Sequence, residues 1–266
     1  MSSRCSGLPC SILALHVLSM TLHVAGRAPA RAPVSTSLRW PLENPVGLPG
    51  SRVFDVTRFS AKPDNHTDSS PAFAAALKAI ADAGGGTLLV PTGGVYLTLP
   101  LNITTSNTRL RVETGATLKA LCDNDRWPRI NKLPSYVADW YDEWWFAPFI
   151  GASNVQNITL DGGGVIDGSG TCFWGSSSHH GAGSAPPKPS MIGTRGNLLL
   201  FERVKRAELT GLSFQNSPFW TLHLWDSEDL HVHGISVHNP ASSDNEALFF
   251  SPNTDGIVRY RRASVA

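Results

Sequence analysis

Charge is scarce in this 266-residue chain. Asp, Glu, Lys and Arg supply 16% of it, while 41% is hydrophobic; charged residues usually make up about 25%. That excludes a disordered linker protein, because the chain has enough apolar surface to offset the entropy of ordering. Neither sign of charge dominates. The 22 basic and 21 acidic residues leave a net charge of +1, which creates no overall field toward nucleic acid or anionic lipid, so neither is expected as a partner. Cysteine is also rare, at four residues. No CxxC or clustered His/Cys spacing suggests zinc, so no metal and no cofactor are expected. His179-His180 lies in the stretch SSSHHGAGSAPPKP and reads as a solvated loop pair. Chain breakers, by contrast, are plentiful, with 24 glycines and 19 prolines. Together they are about 16% of the chain against a usual ~12%. That many breakers argue against a helical bundle and for a turn-rich β architecture.

The apolar stretch 8–25, LPCSILALHVLSMTLHVA, follows Arg4 and is interrupted by His16, Ser19, Thr21 and His23. It suits the core of a signal peptide better than a membrane span, and a retained anchor is the alternative. Small residues for cleavage lie at Ala25, Gly26, Ala28 and Ala30. The expected layout is a signal peptide over 1–26, a Pro-rich linker or early strand over 27–52, and one domain over 53–266. The mature protein is expected to be monomeric, free of the membrane after cleavage, and secreted to the extracellular space or cell wall. Three N-x-S/T sequons fit that route, at Asn65, Asn102 and Asn157. Cleavage would remove Cys5 and Cys10 and leave Cys122 and Cys172, either paired in a disulfide or as free thiols.

One segment reads as a helix. Asp68, Ser69 and Ser70 offer a cap, Pro71 is tolerated in the first turn, and Phe73, Leu77 and Ile80 recur at helical spacing. Gly84-Gly85-Gly86 ends it. Beyond it the sequence repeats. AELTGLSFQN (207–216) maps onto LHVHGISVHN (230–239) at a constant offset of 23, bringing Leu209 to Val232, Leu212 to Ile235 and Asn216 to Asn239. Leu88, Val90, Gly93 and Tyr96 map onto Leu110, Val112, Gly115 and Leu118 at 22. Leu110 and Val112 map onward to Ile158 and Leu160 at 48. A period of 22–23 built from short alternating strands and turns predicts a solenoid whose inward residues form ladders. A β-sandwich is the competing architecture, and the helix at 69–82 is placed to cover the first coil.

The strongest local motif, Asn253-Thr254-Asp255-Gly256, falls one coil after 230–239. Together with FDVTRFSAKPDN (54–65), GGGTLLVP (84–91), GATLKA (115–120), ITLDGGGVIDGSG (158–170) and SPNTDGI (251–257), it resembles glycoside hydrolase family 28, the polygalacturonases. The resemblance implies an all-β, right-handed parallel β-helix, a pectin-lyase-like solenoid with an N-terminal capping helix. It implies inverting hydrolysis of galacturonan, with pectic polysaccharide as partner. Asp255 would then be a catalytic carboxylate, Asn253 and Thr254 would contact sugar, and Gly256 would form a backbone bend. The family continues with an Asp-Asp pair, a Gly-His-Gly and an Arg-x-Lys on later coils, whereas this sequence has IVRYRRASVA after Gly256. Inverting hydrolysis needs both an acid and a base, so the chain as written is expected to be inactive. Asp244 and Glu246 do not match the missing pair. A non-catalytic secreted solenoid that binds acidic polysaccharide is the alternative function. A lyase of similar shape fits less well, because no calcium-binding carboxylate cluster is visible.

Among other candidates, Asp161 and Asp167 are expected to serve turns. Trp127, Trp140, Tyr141, Trp144, Trp145 and Phe146 either stack on sugar rings or pack as a covering insertion. Trp220 and Trp225 read as packing residues.

Overall fold

The computed structural model describes residues 52–131, 144–174, 195–240 and 254–260, all within the compact unit Trp40–Ala266. The expected signal peptide, most of the expected linker, Trp140, Tyr141, His179, His180, Asp244, Glu246 and Asn253 lie outside the described residues. Among the described residues, no helix is long and apolar enough to cross a membrane.

Each complete coil carries three short strands, one more than the repeat in the sequence reveals. Sheet 1 stacks Val53–Asp55, Gly86–Val90, Thr108–Val112, Gln156–Asp161, Lys205–Thr210 and Glu228–His233. Sheet 2 stacks Asp64–Asp68, Gly94–Thr98, Ala116–Ala120, Val165–Asp167, Ser213–Gln215 and Ser236–His238. Sheet 3 stacks Leu101–Ile103, Ile150–Ser153, Leu199–Glu202, Leu222–Trp225 and Ile257–Tyr260. Neighbouring strands within these sheets pair in parallel, and the molecule is a right-handed parallel β-helix.

Period-2 alternation in each strand sends every second side chain inward, and parallel stacking aligns those residues into columns. In sheet 1 the column runs Leu88, Leu110, Leu160, Leu209 and Val232. In sheet 2 it runs Tyr96, Leu118, Ile166, Phe214 and Val237. In sheet 3 it runs Leu101, Ile150, Leu199, Leu222 and Ile257. These columns form the core.

The 22- and 23-residue offsets match the observed registers: Leu88 pairs with Leu110, and Leu209 with Val232. The 48-residue offset does not. Leu110 pairs with Leu160 and Thr108 with Ile158, an offset of 50. A slip of two leaves every side chain on its own face, so the hydrophobic pattern cannot detect it. Asn216 and Asn239 do stand at matching places on successive coils, as the offset of 23 expects, although each side chain has its own partners. The amide contact between coils lies elsewhere. Asn157 Nδ2 donates to Asn107 Oδ1 at 2.7 Å, and both residues are left-handed, at φ 58° and 59°.

The helix forms over Ser70–Asp82 and buries Ala72, Phe73, Ala76 and Ile80 against the first coils. Its start is capped by Asp68, whose carboxylate accepts from the Ser70 amide at 2.9 Å. Ser69 makes no side-chain cap bond. Farther along, Cys122 and Cys172 are joined in a disulfide, with Cα atoms 5.7 Å apart, linking the third coil to the fourth.

Candidate active site at the start of the last strand of sheet 3

Thr254 and Asp255 lead into the strand Ile257–Tyr260, which pairs with Leu222–Trp225. The ladder continues upstream of the strands. The Thr221 amide donates to the Asp255 carbonyl at 2.9 Å, and the Leu222 amide to the Gly256 carbonyl at 3.0 Å. This register sets Asp255 beside Trp220. The bond from the Leu198 amide to the Trp220 carbonyl, 3.0 Å, sets Trp220 beside Asn197 in turn. The column that holds Asp255 therefore passes through an aromatic ring and an amide on the two preceding coils.

Asn239 fastens this segment. Its Oδ1 accepts from the Ser217 amide at 2.8 Å, while its Nδ2 donates to Thr221 Oγ1 at 2.9 Å and to the Thr254 carbonyl at 3.0 Å. One side chain thus ties the coil of Ser217 and Thr221 to the residue before Asp255. The Asp255 side chain itself stays exposed.

Beside it lies a packed aromatic and polar wall. Trp220 stacks on Phe219 at 4.9 Å between centroids and meets the His223 ring edge-on at 4.8 Å. Phe219 packs on buried Trp145, and the Arg195 guanidinium lies 5.0 Å from the Phe219 centroid. His223 alternates with the core residues Leu222 and Leu224, so it faces away from the interior, yet it is fully buried. Asn197 Nδ2 donates to its Nδ1 at 3.2 Å. Burial pushes the His223 pKa down to about 4, so the ring is neutral at ordinary pH. The sequence reading missed Arg195, Asn197 and His223. The available signal was a histidine at an outward position of the apolar run TLHLW.

Of the expected site residues, the structure brings Thr254, Asp255 and Gly256 together at this point, and Asn253 lies outside the described residues. Gly256 occupies a bend, and a Cβ there would meet nothing within 4 Å. Trp127, Trp145 and Phe146 are buried, in line with the packing alternative for the aromatic run. Trp127 donates its indole N–H to the Ala147 carbonyl at 2.8 Å. Asp167 is buried and accepts from the Ser169 amide, Gln215 and Asn216, which is a structural role. Asp161 instead ends a strand and receives Arg109 and Arg111, so it serves an ion-pair cluster rather than a turn. Among the sequons, Asn65 and Asn102 are exposed, whereas the Nδ2 of Asn157, the atom a glycan would occupy, is spent on Asn107.

Hydrolysis of a glycosidic bond needs one group to protonate the leaving oxygen and another to activate water. Asp255 can provide one of these. Among the described residues its column provides no second carboxylate.

Known proteins resemble this chain in sequence and in fold. The sequence pattern of the glycosyl hydrolases of family 28 matches residues 85–265. A probable polygalacturonase of Vitis vinifera is 30% identical over 208 residues, covering 75% of this chain and 38% of its own length. An exopolygalacturonase of Zea mays is 27% identical over 206 residues, covering 77% and 42%. Among solved structures, a hyperthermoactive exopolygalacturonase of Thermotoga maritima superposes with a TM-score of 0.62 at 25% identity, over 77% of this chain and 49% of that one. The chain therefore spans less than half the length of these relatives.

Proposed function

The chain belongs to the glycosyl hydrolases of family 28, and from that premise we propose that it acts in the hydrolysis of galacturonan in pectin, by inversion, with Asp255 as one catalytic carboxylate. The observation that carries the reading is the setting of Asp255: an exposed carboxylate at the start of a sheet 3 strand, held by the backbone ladder and by Asn239, in register beside Trp220. Trp220 provides a face on which a sugar ring can stack, and Thr254 contacts the sugar beside it. Among the described residues no second carboxylate shares the column, and an acid/base partner for Asp255 would be worth about 10²–10⁴-fold. The route is secretory, supported by the apolar stretch 8–25, the two exposed sequons and the disulfide.

A reducing-end assay on polygalacturonate tests the proposal, comparing the 266-residue chain with a version extended by the later coils of the grape relative. Turnover by the extended form that disappears in Asp255→Asn, with the β-rich circular dichroism unchanged, is the expected result. Turnover that survives Asp255→Asn removes Asp255 from the chemistry. Saturable binding of polygalacturonate by the chain, with no turnover in the extended form, favours the non-catalytic polysaccharide-binding reading instead.

A further inference from the structure

From Arg109 and Arg111 onward the outer face of sheet 1 is polar, and its last two coils gather a set of side chains that the catalytic reading does not use. His231 and His233 stand two residues apart in the strand Glu228–His233, so both leave the same face. Parallel pairing sets Glu208 directly opposite His231, and Thr210 opposite His233. The Nε2 of His233 lies 3.1 Å from Oε1 of Glu208, and the two imidazole rings are 4.4 Å apart at 31°. One ligand atom from each of the three residues falls within 4.8 Å of the others.

We propose that Glu208, His231 and His233 form a binding site for a borderline divalent cation, zinc foremost, that clamps the strand Glu228–His233 onto Lys205–Thr210.

Three features carry this. The donor set is two imidazoles and a carboxylate, the combination that suits zinc and leaves a further position for water. The geometry is close to what the ion needs. Zinc bonds of about 2.0–2.1 Å set neighbouring ligand atoms about 3.3 Å apart in a tetrahedron. The His233–Glu208 pair already lies close to that separation, and a His231 ring nitrogen lies within 4.8 Å of both. The third feature is charge. Glu208 is only 4% exposed, and among the described residues its polar partner is His233. The nearby arginines Arg109 and Arg111 are engaged with Asp161. A divalent cation held between that buried carboxylate and the two imidazoles would compensate its charge. The spacing also explains why the sequence hides the site: His-x-His is two residues of three, and the carboxylate comes from the preceding coil, 25 residues away from His233.

Isothermal titration of the chelator-treated 266-residue chain with zinc chloride tests the proposal, alongside cobalt(II) as a spectroscopic probe. One equivalent of zinc should bind saturably, and cobalt should show visible absorption bands of a low-coordinate nitrogen- and oxygen-ligated ion. His231→Gln and Glu208→Gln should each weaken zinc binding by about tenfold or more, since loss of even an outer-shell partner costs 10–100-fold. His238→Gln, on sheet 2, should bind as the parent does. Glu208→Gln keeps its size and an acceptor for His233, so it distinguishes a lost ligand from a lost fold. No saturable zinc binding by the parent, or equal binding by parent and Glu208→Gln with folded spectra in both, would overturn the site.

Discussion

The two ends of the described solenoid face the same physical problem and meet it differently. A single coil cannot bury its own inner face, so each relies on what lies above and below it. At the N-terminal side a helix provides the cover: Phe73, Ile80 and Val56 are buried, and Leu88, Tyr96 and Leu101, which open the three columns, are at most 3% exposed. At the other side the columns end in Val237 and Ile257, which are 38% and 54% exposed. Among the described residues no further strand pairs beyond Glu228–His233, Ser236–His238 or Ile257–Tyr260. Asp255 sits at this less covered side. The difference teaches that the scaffold's stability and its candidate chemistry reside in different coils.

The sharpest way to break that comparison is to remove one apolar side chain from each end. Phe73→Ala empties a fully buried site under the helix and should cost about 3–5 kcal/mol, read as a lower urea midpoint. Ile257→Ala removes a side chain that is already half in water and should cost less than about 1 kcal/mol. Equal losses would mean that Ile257 is as well covered as Phe73.

The disulfide lies between the two ends, tying the third coil to the fourth across 50 residues. Replacing Cys122 and Cys172 by Ala should destabilise the chain by about 2–4 kcal/mol. Urea unfolding with and without a reducing agent measures it, and the double variant should no longer respond to reduction.

Acid should separate the two sides next. Burial lowers the His223 pKa from 6.5 to about 4. A depressed folded-state pKa contributes stability that is complete above pH 6.5 and is lost as pH falls through 4, up to about 3 kcal/mol. Near the N-terminal side, exposed Asp64 is lowered to about 2 by the Thr67 hydroxyl and the amides of Thr67 and His66. Its contribution is intact above pH 3.8 and is lost only as pH falls toward 2. Between pH 6.5 and 4, the coils around His223 should therefore weaken while the first coil holds. Melting temperatures measured across that window should slope downward in the parent and flatten in His223→Gln.

Much of this architecture was legible in the sequence, and the illegible parts share physical causes. The 22- and 23-residue registers were readable because Leu88 and Leu110, or Leu209 and Val232, occupy uninterrupted repeats. The third strand of each coil was not, because long insertions precede several of its members. The antiparallel ribbon of Arg129–Asn131 with Trp144–Phe146 precedes Ile150–Ser153 and hides the period. The register between Leu110 and Leu160 failed by two residues because alternation is blind to an even slip. At the candidate site, Asp255 stood out through its motif. Asn197, Trp220 and Asn239 come together only through coil stacking, which no local pattern encodes.

The smallest expected effect isolates the segment that holds Asp255. Asn239 and Asn216 stand at matching places on successive coils, yet they serve different masters. Asn216 donates to the buried carboxylate of Asp167, within the interior coils. Asn239 bonds Ser217, Thr221 and Thr254, at the side where the columns become exposed. Asn239→Ala removes three hydrogen bonds that are partly within reach of water, so it should cost about 1–2 kcal/mol, and locally. The amides of Ser217 and Thr221, which donate to Asn239 Oδ1 and the Asp255 carbonyl, should exchange faster with solvent. Those of Leu88 and Leu110, deep in sheet 1, should keep their protection. Hydrogen exchange followed by mass spectrometry distinguishes the two patterns. A uniform loss of protection through every coil would show that the solenoid opens as one unit and that Asn239 has no special hold on Asp255. Loss confined to the last two coils would show that this amide orders the candidate carboxylate at little cost to the scaffold beneath it.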